Sequence, residues 1–217
     1  MIPGKLLGKK FVVNNELADA TGVVPDMSAD IYYEVVRLIG DRILFLPDHL
    51  DRLRQSIRGS GIAYPGSRQI IKSLALLVNE NLFSEGNIRI SLQKSGVEGT
   101  RLQCYFIPYI YPDPQMYKEG VNLAIYPHVR PNPGIKKWDD RFRNSVSRYI
   151  LEKKVYEAAL VNSEMQITEG SRSNLFFIDR QASLVTAPEK MILPGITRKY
   201  VLEIARESGI PVIERNE

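Results

Sequence analysis

Four short stretches of this sequence carry residue types that do chemistry. In "ITEGSRSNLFFI", Ile167 to Ile178, Glu169 heads a run of glycine and hydroxyl residues that leads into an apolar strand. A carboxylate there is either part of a solvated turn or a buried acid aimed at a cationic ligand. "GIKKW" sets Lys136 and Lys137 in a Pro/Gly-bounded loop beside the only tryptophan, Trp138. Loop lysines usually serve solubility, but a desolvated one is an amine nucleophile near neutral pH. "HLDR" places Arg52 on a helix face, where it is either solvated or a fork of donors for an oxyanion. "LPGITR", Leu193 to Arg198, reads as a helix start; it is an ordinary one, or its free backbone N–H groups hold a phosphate.

Other chemistries lack their parts. Two histidines and one cysteine build no common zinc site, and neither a Gly-rich phosphate loop nor a serine nucleophile elbow occurs, so no metal is expected. The 29 basic and 25 acidic residues leave a net charge of +4, too mild and too dispersed to argue for nucleic acid. Anionic small molecules remain as partners. Cys104 sits inside the apolar run "LQCYFIPYI", which excludes a disulfide framework and suits a reducing compartment. No apolar run approaches the roughly 20 residues of a membrane span, and "MIPGKLLGKKF" lacks the apolar centre of a signal peptide. A cytoplasmic protein with no membrane partner is the expectation.

The elements that must position those residues follow from pattern. With 217 residues, 44% hydrophobic and 25% charged, the chain builds one large domain or two modest ones. "IYYEVVRLI" and "RILFL" are strands flanking Gly40-Asp41, a hairpin signal. After Pro47, Asp48 caps a helix whose Leu50, Leu53 and Ile57 recur at helical spacing until Gly59 and Gly61 stop it. "SRQIIKSLALLVNENL" is a second helix, and "GNIRISLQK" and "RLQCYFIPYI" return to strand. The prolines and mixed charges of "YPDPQMYKEG" read as a linker. This divides the chain into an N-terminal α/β domain over 1–111, a linker over 112–120 and a C-terminal domain over 121–217. The C-terminal domain holds the strands "VNLAIYPHV", "YEAALVN", "QITE" and "NLFFID", a possible short strand "LVTAP", and the helices "FRNSVSRYILEKKV" and "LPGITRKYVLEIARESG". The text stops as "IPVIER" begins a further strand.

The order of these pieces resembles the fold-type IV, or class IV, pyridoxal-phosphate-dependent aminotransferase family, which includes branched-chain and D-amino-acid aminotransferases and aminodeoxychorismate lyases. "YEVVR", "HLDRLRQS", "YEAALV", "TEGSRSNLFFI" and "LPGITR" fall in family order, and the resemblance covers essentially the whole chain. It implies a two-domain α/β (α+β) fold, with a small sheet-plus-helices domain and a larger, barrel-like, cofactor-binding domain. It implies pyridoxal 5'-phosphate as cofactor, an amino acid and a 2-oxo acid as substrates, and a homodimer. By resemblance Glu169 meets the pyridine nitrogen and keeps the ring an electron sink, with Asn174 supporting the same loop at the cofactor. Lys136, found by counting back from "YEAALV" without gaps, forms the Schiff base and moves the proton; Lys137 is the alternative. Arg52 grips the phosphate, and Ile196 and Thr197 meet it with backbone N–H groups and a hydroxyl.

Three departures stand beside the resemblance. Five residues after the lysine, where many aminotransferases of the family carry a tyrosine for the cofactor's O3′, this chain has Arg141. That arginine either meets a substrate carboxylate or forms a surface salt bridge. The asparagine common three residues after the lysine in the lyase branch is Asp139. Family members continue further into the large domain, so the expectation is a chain incomplete at its C-terminus or a shortened enzyme. The reading is an aminotransferase; the alternatives are aminodeoxychorismate lyase activity, which eliminates pyruvate, and a catalytically impaired cofactor-binding homologue.

Overall fold

The computed structural model describes residues 6–19, 30–96 and 99–215. The chain forms two compact units: Met1–Tyr111 with Lys136–Trp138, and Pro112–Ile135 with Asp139–Glu217.

The first unit opens with β1 (Leu7–Val13) and β2 (Glu16–Asp19), joined through Asn14 and Asn15 at φ 49° and 66°. Asparagine tolerates that left-handed backbone better than most residues, and here the side chains tie the turn to distant elements, Asn14 Oδ1 accepting the Leu102 N–H at 2.9 Å and Asn15 Oδ1 the Ser73 hydroxyl at 2.8 Å. β3 (Ile31–Ile39), β4 (Arg42–Ile43), α1 (Leu46–Ser56), α2 (Ser67–Asn81), β5 (Glu85–Ser95) and β6 (Gly99–Ile107) follow. The strands form one antiparallel sheet in the order β2-β1-β6-β5-β3-β4. "RILFL" yields only the two-residue β4, because Phe45 turns left-handed at φ 52° and the helix already starts at Leu46. Asp48 therefore lies in the first turn of α1 and is not its cap.

Register sorts the two faces of this sheet. Tyr32, Glu34 and Val36 stand in line with Leu92, Ile90 and Ile88, and these with Leu102, Cys104 and Phe106. α1 and α2 pack here, with Leu50, Leu53, Ile70, Leu74 and Leu77 buried. Burying each such side chain contributes about 1.5–3 kcal/mol. The opposite face carries Tyr33, Arg89, Ser91, Gln93, Gln103 and Tyr105, all buried although mostly polar. The face of an antiparallel sheet that lacks helices commonly meets water, so a buried polar face is a feature to explain.

The short segment Lys136–Trp138 extends this sheet beside β3. The Tyr33 N–H donates to the Lys136 carbonyl (3.1 Å), and the Trp138 N–H to the Ile31 carbonyl (2.8 Å). From the helix side, Ser56 Oγ at the end of α1 accepts the Lys136 N–H (3.1 Å).

In the second unit, residues 112–120 carry α3 (Pro114–Glu119), whose cap Asp113 accepts the Met116 N–H at 2.8 Å. β7 (Leu123–Pro127) and β8 (Glu157–Val161) are parallel, so their connection must cross over, and α4 (Asp140–Lys153) is that crossover. Phe142 and Val146 of α4 pack on Ala158 and Leu160 of β8. β9 (Ile167–Gly170) adds antiparallel to β8. A second three-stranded sheet is built from β10 (Phe176–Ile178), β11 (Leu184–Thr186) and β12 (Val212–Glu214), with α5 (Ile196–Glu207) between the last two strands. Among the described residues, no helix is long and apolar enough to cross a membrane.

Candidate functional site

Arg52 and Lys136 belong to the first unit; Glu169, Asn174, Ile196, Thr197 and Arg141 belong to the second. Arg52 leaves the solvated face that "HLDR" allowed, since it is 8% exposed. Its Nε and Nη2 donate to Glu34 Oε1 and Oε2 at 2.7 and 2.6 Å, and His49 Nδ1 lies 2.8 Å from Oε2. The spacing of Leu50 and Leu53 turns this part of α1 inward over Glu34. Burial works to raise the Glu34 pKa, yet the hydrogen bonds from Arg52 and His49, with the charges of Arg52 and Lys136, outweigh it and hold the carboxyl below its ordinary range. Arg52 and Lys136 thus both act on one buried carboxylate that the sequence did not single out.

The structure separates the two lysines of "GIKKW". Lys137 is exposed and ion-paired with Asp30 at 2.8 Å. Lys136 is half-buried, with Nζ 5.0 Å from the centroid of the Tyr33 ring. The same ring takes the Arg89 guanidinium at 4.4 Å, and Trp138 takes it at 4.3 Å. Arg89 is 5% exposed, and among the described residues its Nε and Nη2 have no hydrogen-bond partner. A buried guanidinium is costly unless its charge is met, and here the Tyr33 and Trp138 rings meet part of it while Nε and Nη2 keep donor capacity. The alternating pattern of "NIRISLQK" put Arg89 on a face of its strand, but nothing in it marked that face as buried.

In the second unit Glu169 is the buried acid and not a solvated turn: it is 3% exposed at the end of β9. Arg130 Nε donates to Oε1 at 2.7 Å, and the Leu193 N–H to Oε2 at 3.0 Å. Asn174 Nδ2 donates to the Leu193 carbonyl at 2.9 Å. Beneath the loop, buried Glu157 accepts from the Ala158 N–H (2.9 Å), Ser171 Oγ (2.5 Å) and Ser173 Oγ (3.1 Å). Arg143 adds a bond to the Ser171 carbonyl at 2.8 Å. The serines of "TEGSRSN" are therefore spent on shaping the loop that leads from Glu169 to Asn174.

α5 starts at Ile196 with Gly195 as its cap residue, no side-chain cap and no acidic residue in its first turn. Ile196 is buried and Thr197 exposed. A helix N-terminus of this kind is electropositive and suited to an anion. Arg141 lies exposed on α4, whose N-terminus is capped by Asp139 through the Phe142 N–H at 2.9 Å. Arg130 and Glu34 are the partners that pattern could not show, since their contacts with Glu169 and Arg52 span 39 and 18 residues.

Comparison with known proteins bears on these parts. The sequence model of the family described as amino-transferase class IV matches residues 32–216. The D-alanine aminotransferase of Listeria monocytogenes serotype 4b is 29% identical, across 94% of this chain and 77% of its own length. The probable branched-chain-amino-acid aminotransferase of Rickettsia felis is 26% identical, across 84% and 67%. The solved structure of branched-chain amino acid aminotransferase from Thermobaculum terrenum in its PLP-form superposes with a TM-score of 0.78 at 23% identity, over 98% of this chain and 78% of that one. At that identity the likeness is one of fold.

Proposed function

This chain belongs to the class IV aminotransferase family, and from that premise we infer that it is a pyridoxal-phosphate-dependent enzyme moving an amino group between an amino acid and a 2-oxo acid. The observation that carries the reading is Glu169, a buried carboxylate oriented by Arg130 and the Leu193 N–H. The donor set fits the cofactor. A buried acid suits a pyridinium nitrogen, and the uncapped start of α5 suits a phosphate dianion. A half-buried lysine amine suits a carbonyl. When bound, the cofactor supplies that carbonyl and a conjugated electron sink for the substrate α-carbon.

The protein's own residues do the rest. Lys136 Nζ would be the amine that holds the cofactor and the group that moves a proton to and from the substrate α-carbon. Its backbone is fixed on both sides, by Tyr33 and by Ser56, which limits its reach to one region. The resemblance assigns the phosphate to Arg52, which Glu34 locks in the first unit, and to the N–H groups of Ile196 and Thr197 in the second. Asn174 supports the loop from Glu169. For the substrate carboxylate two guanidinium groups compete. Arg141 is solvated, whereas Arg89 is buried with unbonded donors and shares the Tyr33 ring with Lys136, which favours Arg89. A homodimer in the cytoplasm completes the reading. D-alanine and the branched-chain amino acids, named in two relatives, are the first donors to try.

The test is spectroscopic and then chemical. The full-length protein mixed with pyridoxal phosphate should become yellow, and a productive amino donor should bleach that band until a 2-oxo acid restores it. Borohydride reduction followed by peptide mapping should leave the pyridoxyl group on Lys136. A label on Lys137, or a spectrum indifferent to every donor, contradicts the reading.

A further inference from the structure

Leu193 is held from both sides. Its N–H goes to Glu169 Oε2 at 3.0 Å, and its carbonyl accepts from Asn174 Nδ2 at 2.9 Å. Glu169 and Asn174 stand at the two ends of the "EGSRSN" loop, and that loop is pinned from below by Glu157 through Ser171 and Ser173. Beyond Leu193 the chain has little slack, since Pro194 fixes its own φ near −65° and Gly195 already caps α5. Gly195 is tied to the same amide: a Cβ placed on it would collide with Asn174 Oδ1.

We propose that Asn174 is a positioning residue that acts through Leu193, fixing the N-terminus of α5 relative to the Glu169 carboxylate. The donor of its amide is spent on Leu193 and its oxygen lies against Gly195, so Asn174 serves the phosphate-accepting turn without itself touching the phosphate. The proposal rests on the cofactor reading above. Under it, the acid for the ring nitrogen and the N–H groups for the phosphate are two ends of one clamp whose spacing Asn174 sets. Gly195 is required because only a residue without a Cβ leaves room for that amide.

The experiment compares two probes that differ only at the phosphate end, pyridoxal phosphate and pyridoxal, in spectral titrations of the full chain. For Asn174→Ala the dissociation constant of pyridoxal phosphate should rise at least tenfold, while that of pyridoxal stays within about threefold. Asn174→Asp keeps the shape but has no donor for Leu193, so it should give the same split. Gly195→Ala should too, and Asn174→Ala with Gly195→Ala together should be no worse than the more severe single change, because both remove one and the same hydrogen bond. Melting temperatures without cofactor show whether each variant is folded. A loss shared equally by both probes means a general structural role and overturns the proposal, as do full affinity in Asn174→Asp or additive effects in the double variant. If the parent protein itself binds pyridoxal phosphate no better than pyridoxal, the cofactor reading fails first and takes this inference with it.

Discussion

Both oxygens of Glu169 are committed to donors, Oε1 to Arg130 and Oε2 to the Leu193 N–H. A glutamine at this position keeps one acceptor and turns an NH₂ group toward the other donor. Glu169→Gln should therefore lower stability without cofactor by about 1–3 kcal/mol, the range for an unsatisfied buried polar group. It should also slow the single-turnover half-reaction more than tenfold, about 1.4 kcal/mol, because the transition state places more negative charge on the ring than the resting state does. Urea unfolding and stopped-flow absorbance read the two effects separately. A half-reaction within threefold of the parent would remove Glu169 from the pyridine nitrogen. Residue pattern left Glu169 open between a turn and a buried acid, and only the resemblance chose the acid. Pattern could not choose because the partner, Arg130, lies 39 positions away in a loop with no periodic signal. Counting back from "YEAALV" put Lys136 ahead of Lys137, and their surroundings, which spacing could not show, differ: Lys137 pairs with Asp30 whereas Lys136 packs on Tyr33.

Elements were legible where local chemistry decides them. Long periodic runs such as α2, β3 and β5 form where their apolar spacing put them. The β1–β2 hairpin carried an Asn14-Asn15 turn signal in a region where no strand was expected. The pairing of residues 136–138 with β3 was not legible, because it joins backbone groups about a hundred positions apart. α4 shows the opposite case. Asp139, which departs from the asparagine of the lyase branch, is the N-cap of that helix and accepts the Phe142 N–H. Asp139→Ala should cost about 0.5–2 kcal/mol, whereas Asp139→Asn, an equally good cap, should be nearly neutral. Chemical denaturation of the two variants checks this. An equal loss in both would mean that the Asp139 charge, and not the cap bond, carries the effect.

At the scale of the whole molecule, acid should act on the first unit through Glu34. The chain carries a net charge of +4 at pH 7, and that charge climbs as its 25 carboxylates take up protons. Glu34 is a carboxyl whose folded state resists protonation: burial alone would raise its pKa, but Arg52 and His49 hold it below the ordinary range. A depressed carboxyl contributes stability that is fully present above its unfolded pKa, about 4.3, and that disappears as pH falls through the lower folded value. The stability of the first unit should therefore be flat near neutrality and decline steeply below about pH 4.5. Trp138, the only tryptophan, belongs to that unit and stacks on Arg89, so its fluorescence reports there. Glu34→Gln leaves Arg52 buried without a charge partner and should already lose about 3–5 kcal/mol at pH 7. Its stability should then fall less steeply with acid than the parent's, because the group that titrates has gone. Urea titrations followed by Trp138 emission, from pH 7 down to about 3, give both slopes. Parallel curves for the parent and Glu34→Gln would show that the acid sensitivity of this unit arises elsewhere, and that the Glu34–Arg52 pair is held together by packing more than by charge.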